Sequence, residues 1–189
     1  MRILSPDIGI DLGSTNVILY ATGRGIVLRE PAMVVVRNGV NREVLAIGEE
    51  ARQMLGRMPG DLIAVHPIVQ GVIADFELTE IMLKYLIRKA IGINYLGKPR
   101  VVVTIPSEIT AMERRAVDEA FRLVGMRTVH MIESVVAAGI GSGLPVYEPQ
   151  GSLVVDIGGG TSEVAVLSMG SIVVGRSVRQ AGNAWDDAV

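Results

Sequence analysis

Short apolar runs rich in Val and Ile, broken by glycine, dominate this chain, and one near each end stops at an Asp followed by a glycine turn. Ile8-Gly9-Ile10-Asp11-Leu12-Gly13-Ser14-Thr15-Asn16 and Val154-Val155-Asp156-Ile157-Gly158-Gly159-Gly160-Thr161-Ser162 share one order: strand, acid, glycine turn, hydroxyls. Each predicts a buried strand running into a tight hairpin. Between them, residues 8–30 predict a meander of strands. Further strands are expected near Ala32–Arg37 and Glu43–Ile47, then a helix from Glu49 to Met58. Leu78, Ile81, Met82, Tyr85, Leu86 and Lys89 recur at helical spacing and predict a helix over Glu77–Ile91. Arg100–Ile105 predicts a strand, and Thr110-Ala111-Met112-Glu113 a capping box at the next helix start. A strand is expected from Met126 to Ile132, a helix through Ala137–Ile140, hairpins from Ser152 to Gln180, and a last helix around Trp185 capped by Gly182-Asn183.

Composition narrows the class. Hydrophobic residues make up 49% and charged residues 20% of the chain, the balance of a soluble α/β protein with many fully buried strands. A net charge of −2 argues against a nucleic-acid partner. The absence of cysteine excludes a disulfide framework and thiolate metal sites. Met1-Arg2-Ile3-Leu4-Ser5-Pro6 is too short for a signal peptide, and no apolar run approaches the ~20 residues of a spanning helix.

The two glycine turns carry the candidate chemistry. Without a Cβ at Gly13, Gly158, Gly159 and Gly160, backbone N–H groups can approach phosphate oxygens closely, and Ser14, Thr15, Asn16 and Thr161 add side-chain donors. Asp11 and Asp156, at the strand ends, suit a nucleotide-bound Mg²⁺ held through water, because Mg²⁺ keeps several waters and takes few direct carboxylates. Neither turn is a P-loop: the chain contains no G-x-x-x-x-G-K-[ST]. One such turn alone is an ordinary hairpin; two, far apart, suggest a duplicated fold gripping one polyphosphate from both sides.

These motifs, in this order, resemble the MreB/Mbl family of bacterial actin homologues, within the actin-like ATPase superfamily. The resemblance extends to Gly25-Ile26-Val27-Leu28-Arg29-Glu30-Pro31, Gly71-Val72-Ile73-Ala74-Asp75-Phe76, Lys98-Pro99-Arg100-Val101-Val102-Val103, Glu113-Arg114-Arg115-Ala116, and Ile132-Glu133 leading into Ala137-Ala138-Gly139-Ile140-Gly141-Ser142. It implies an actin-like (RNase H-like) fold, a mixed sheet flanked by helices. The first RNase H-like subdomain would take residues 1–31 and 76–150, an inserted outer subdomain 32–75, and the start of a second half 151–189. The remainder of that second half is expected to lie beyond the chain, leaving the Val-rich hairpins as an open apolar sheet.

The resemblance also implies ATP and Mg²⁺ as ligands, self-assembly into filaments, and a place in the cytoplasm at the inner membrane surface beside cell-wall elongation proteins such as RodZ. Tyr95 and Leu96, next to Lys98, fall where the family carries a membrane-insertion loop. The family's Glu-Glu-Pro segment departs here to Glu133-Ser134-Val135, so its hydrolytic carboxylate falls on uncharged Ser134. Slow hydrolysis is expected, with Thr161 left to position water and Glu133 diverging by roughly 100° along the helix. Two other readings share the fold: a DnaK-type chaperone ATPase, disfavoured by a compact 31–75 without Lys, and a nucleotide-binding scaffold, favoured by Ser134. Glu113 is expected to cap its helix, Arg114 and Arg115 to be solvated or to make filament contacts, His66 and His130 to be structural, and Trp185 to pack in the core.

Overall fold

The computed structural model describes residues 6–39, 42–92 and 99–189. In chain order, β1 (Ile8–Leu12), β2 (Asn16–Ala21) and β3 (Gly25–Pro31) form the expected meander, followed by β4 (Val34–Arg37), β5 (Val44–Ile47), α1 (Glu49–Met54) and β6 (Leu62–Val65). Next come β7 (Ile68–Val69), β8 (Val72–Ile73), α2 (Phe76–Ile91), β9 (Arg100–Ile105), α3 (Ala111–Leu123), β10 (Thr128–Glu133) and α4 (Ser134–Gly141). β11 (Ser152–Ile157), β12 (Ser162–Ser168), β13 (Ser171–Val178) and α5 (Gly182–Asp186) complete the order.

The main sheet runs β10-β9-β1-β2-β3, with β9 parallel to both β1 and β10 and the meander antiparallel. Ile8, Ile10, Val17, Leu19, Val101 and Val103 are buried in one cluster with Leu78, Met82 and Leu86 of α2 and Phe121 of α3. The buried stripe of α2 is Leu78, Thr79, Met82, Leu83, Leu86, Ile87 and Ala90, so Lys89 is not a seam residue as its spacing predicts. Its Nζ donates to Oε1 of the buried Glu30 at 2.7 Å, and the other Glu30 oxygen accepts the Glu49 N–H at 2.6 Å. One carboxylate thereby fastens β3 to α1 and α2, with both of its oxygens satisfied.

A separate three-stranded sheet, β5-β4-β6, carries its own small core of Met33, Val35, Ala46 and Ala51. Here α1 stops at Met54 rather than Met58: Leu55 is extended, and Gly56 at φ 76° turns the chain away. The β10 strand begins at Thr128, because Met126 donates its N–H to the Phe121 carbonyl at 3.0 Å and closes the end of α3 instead.

The second sheet, β11-β12-β13, is antiparallel, and α4 covers one face of it. Val135, Val136, Val146, Val154, Ala165 and Leu167 form that core. Gly139 lets α4 approach closely, since a Cβ there would lie 2.8 Å from Leu167 Cδ1 and 3.0 Å from Val146 Cγ1. The opposite face is the expected open apolar one: Leu153, Val155, Ile157 and Val174 are all more than half exposed. Trp185 does not pack in a core. It is 54% exposed on the short α5, which buries no residue, and the N-cap of that helix is Ala181 rather than Gly182-Asn183.

Candidate functional site

The two glycine turns are built alike. In the first, Gly13 donates its N–H to the Asn16 carbonyl at 3.1 Å; in the second, Gly158 donates to Thr161 at 2.9 Å. The strand registers match as well, placing Asp11 opposite Ile18 and Asp156 opposite Glu163. Each Asp therefore stands one residue before the last paired position of its hairpin, at the same depth beneath its turn.

The turns face each other and touch. A Cβ built on Gly159 would overlap the Thr15 hydroxyl, and one on Gly160 would overlap that of Ser14. Glycine is required at both positions for this approach. Ser14 is buried and its Oγ accepts the Gly71 N–H at 2.8 Å. Gln70 and Gly71 both have positive φ, 52° and 74°, the conformation of the two-residue turn that joins β7 to β8. Thr15 donates its hydroxyl to Asn183 Oδ1 at 2.9 Å, while the Asn183 N–H donates to the Gly159 carbonyl at 2.9 Å. Beside the turns opens a cleft of about 400 Å³, lined by Thr15, Gln70, Gly159, Gly160, Arg179 and Asn183 among others. Asn16 is exposed at the start of β2, and Thr161 is half-buried where the second turn closes.

Acids gather below. Asp11 accepts the Thr104 hydroxyl at 2.6 Å. Burial, then the nearby Glu163 and Asp11 carboxylates, push the Asp156 carboxyl above its ordinary range. Glu163 is 3% exposed; its Oε1 accepts the Ser107 N–H at 2.8 Å and the Ser107 hydroxyl at 2.5 Å, and its Oε2 has no partner. Among the described residues no three His, Cys, Asp or Glu side chains are placed to hold a metal by themselves. Neighbouring acids with unbalanced charge, glycine backbone and hydroxyl donors do fit a Mg²⁺ that brings its own water and phosphate ligands. Asp11 and Asp156 would hold such an ion through water, and the glycine turns with Ser14, Thr15, Asn16 and Thr161 would hold the phosphates.

Ser134 opens α4 and donates its hydroxyl to the Ile105 carbonyl at 3.1 Å. Glu133 is the N-cap in an extended conformation, and its side chain makes no capping bond. The capping box of α3 is present in both directions, with Thr110 Oγ1 accepting the Glu113 N–H and Glu113 accepting the Thr110 N–H at 2.8 Å. Arg179 reaches Glu113 at 3.0 Å and so ties α3 to the segment after β13. The Thr110 N–H first, then its hydroxyl and Arg179, hold the Glu113 carboxyl below its usual range against the opposing effect of burial. Replacing Glu113 by Ala should cost about 1–2 kcal/mol, read as a melting-temperature fall of roughly 4 °C near neutral pH. Because the native-state pKa is depressed, this stabilisation is present above the ordinary Glu range and lost as pH falls through the folded value. Melts of the two proteins should therefore converge in acid.

The structure brings Ser14 and Thr15 against Gly159 and Gly160, and sets Asp11 near Asp156. Tyr95 and Leu96 lie outside the described residues. Among the described residues no helix is long and apolar enough to cross a membrane. Glu163, Gln70, Arg179 and Asn183 are members of the site that motif reading missed. Only Glu163 left a signal, as the residue paired with Asp156 if the hairpin is folded in register.

Residues 5–189 match the model of the family described as MreB/Mbl protein. Among curated proteins, the chain is 48% identical over 180 residues to the cell shape-determining protein Mbl of Bacillus cereus, covering 95% of this chain and 54% of that protein. It is 47% identical over 191 residues to the cell shape-determining protein MreB of Escherichia coli, covering 99% and 55%. Among solved structures, it superposes on MreB 5 of Spiroplasma citri bound to AMPPNP with a TM-score of 0.89 at 38% identity, covering 97% of this chain and 55% of that one. The ADP-bound form gives 0.88 at 38% identity. The chain thus spans about half the length of the relatives it matches.

Proposed function

Because this chain belongs to the MreB/Mbl family, we propose that it binds a magnesium nucleotide between its glycine turns and serves a filament-forming, actin-like ATPase that organises cell-wall synthesis and cell shape. The observation that carries this reading is the apposition of two hairpins of matching register, Gly159 and Gly160 against Thr15 and Ser14. The two Spiroplasma citri structures are nucleotide complexes, one with AMPPNP and one with ADP, which supports the same placement here. ATP is the ligand proposed, with Asp11 and Asp156 facing its Mg²⁺ through water. Residues 1–31 with 76–150 would make up the first subdomain, 32–75 the outer one, and 151–189 the opening of the second half. Filaments of such units would lie on the cytoplasmic membrane, with Tyr95 and Leu96 supplying contact and membrane proteins of the RodZ kind as partners.

A second reading is favoured by Ser134, whose hydroxyl is committed to the Ile105 carbonyl and which brings no carboxylate to the first turn of α4. On that reading the protein is a scaffold that binds nucleotide and turns it over slowly. Mg-ATP binding and phosphate release, followed in one sample with assembly on anionic liposomes, separate the two. Binding with assembly and release supports the ATPase filament; binding and assembly without release supports the scaffold. Absence of binding at millimolar nucleotide defeats both.

A further inference from the structure

Asn183 belongs to one glycine turn through its backbone and to the other through its side chain. Its N–H donates to the Gly159 carbonyl at 2.9 Å, and the preceding Gly182 N–H donates to Gly158 at 3.2 Å, so the start of α5 is fixed to the second turn. From there Oδ1 takes the Thr15 hydroxyl at 2.9 Å across 168 residues of sequence. The side chain has no capping role, because the N-cap of α5 is Ala181 and that helix has no side-chain cap bond. It does one visible thing, which is to join the turns.

That junction competes with phosphate. Thr15 is one of the hydroxyl donors a polyphosphate would use, and here its proton is already given to Asn183. Ser14 differs, since its Oγ takes the Gly71 N–H and its own proton remains to be given. Gly159 lies against Thr15 and Gly160 against Ser14, so the turns leave no room between them for a phosphate oxygen. We propose that Asn183 is a latch on the phosphate cleft: it holds Thr15 and the second turn together, and a polyphosphate is admitted only by exchanging the Thr15–Asn183 hydrogen bond for one from Thr15 to a phosphate oxygen. The proposal rests on the nucleotide reading above and adds a regulation to it. No covalent step is involved; one hydroxyl changes its acceptor.

A latch lowers apparent affinity by the fraction of molecules that are open, so removing it tightens binding. Asn183→Ala takes away the acceptor, and Asn183→Ser draws it back from Thr15 by one bond. An exposed neutral hydrogen bond of this kind sets the expected gain at roughly three- to tenfold in affinity for Mg-AMPPNP, measured by titration calorimetry. The gain should appear in the association rate. Trp185, the single Trp of the chain, is two residues from Asn183 and reports the opening by its fluorescence in stopped flow. Thermal melts of both variants should stay cooperative and fall by no more than about 6 °C, the stability that the latch itself supplied, which separates latch loss from misfolding. Wild-type binding with no gain, or a loss, in both folded variants overturns the latch and leaves the nucleotide reading standing. If wild type and variants melt normally and none binds Mg-AMPPNP at millimolar concentration, the nucleotide reading has failed and the latch falls with it.

Discussion

Replacing Ser134 by Glu should raise the rate of phosphate release from bound Mg-ATP by about a hundredfold, the lower end of what a positioned general base contributes. Ser134 is the first residue of α4, and that helix has no acidic residue in its first turn. A carboxylate there is favoured by the positive end of the helix, which offsets the loss of the 3.1 Å bond from the Ser134 hydroxyl to Ile105. Ile105 immediately precedes the Pro106-Ser107 turn, and Ser107 is held by Glu163, the strand partner of Asp156. The new acid would therefore join the wall that already carries the site's other carboxylates. Glu133→Ala is the matched control and should leave release unchanged, since Glu133 stands outside the helix in extended backbone. Single-turnover release and nucleotide affinity measured side by side decide the matter. An unchanged rate with intact binding would remove position 134 from the chemistry.

Features set by neighbours in sequence are legible in the sequence itself. The hairpins at β1–β2 and β11–β12, the helix from α2's acidic start to Ile91, and the Thr110–Glu113 box each depend on residues within one or two turns of chain, and each is found within a residue or two of its expected bounds. What local pattern could not supply was β6, β7 and β8. β7 and β8 are two residues long, too short for a period to register, and β6 is set by its pairing with β4, as in Val36 on Ile63. Lys89 misled for a related reason: its methylenes fit the spacing, but the amine is placed by Glu30, 59 residues away in sequence.

The same division holds in the site. Glycine, acid and hydroxyl are written into each motif, whereas Asn183, Arg179 and Gln70 enter only because distant segments fold back on the turns. Asn183 looks like a helix-capping residue from its neighbours, yet it is Thr15 that gives it a task. Trp185 looks like core from its chemistry, yet α5 is five residues long and buries none of them. The fold was thus the more legible part, because hydrophobic pattern is distributed over many residues, while a contact between two loops can hang on one side chain.

Asp156→Asn should weaken Mg-nucleotide binding by about ten- to a hundredfold, the loss seen when an outer-sphere carboxylate beside a metal is removed. The same change should make the protein more stable. Asp156 stands directly opposite Glu163 on β12 and feels Asp11 as well, and like charges in opposed strand positions oppose pairing by roughly 0.2–1 kcal/mol. Burial and those two neighbours raise its folded-state pKa, so the folded protein holds this proton more readily than the unfolded chain does. By linkage, the ionised group destabilises the native state above the raised pKa, and the penalty vanishes as pH falls below the ordinary Asp range. Asn carries no charge at any pH. The variant should therefore melt about 1–3 °C higher than wild type near neutral pH, with the two curves merging in acid, as differential scanning calorimetry across pH would read. Opposite signs for binding and stability are the mark of a charge kept for a ligand rather than for the fold. A variant that lost both together would make Asp156 a structural residue of the hairpin, and one that lost neither would take it out of the metal's reach.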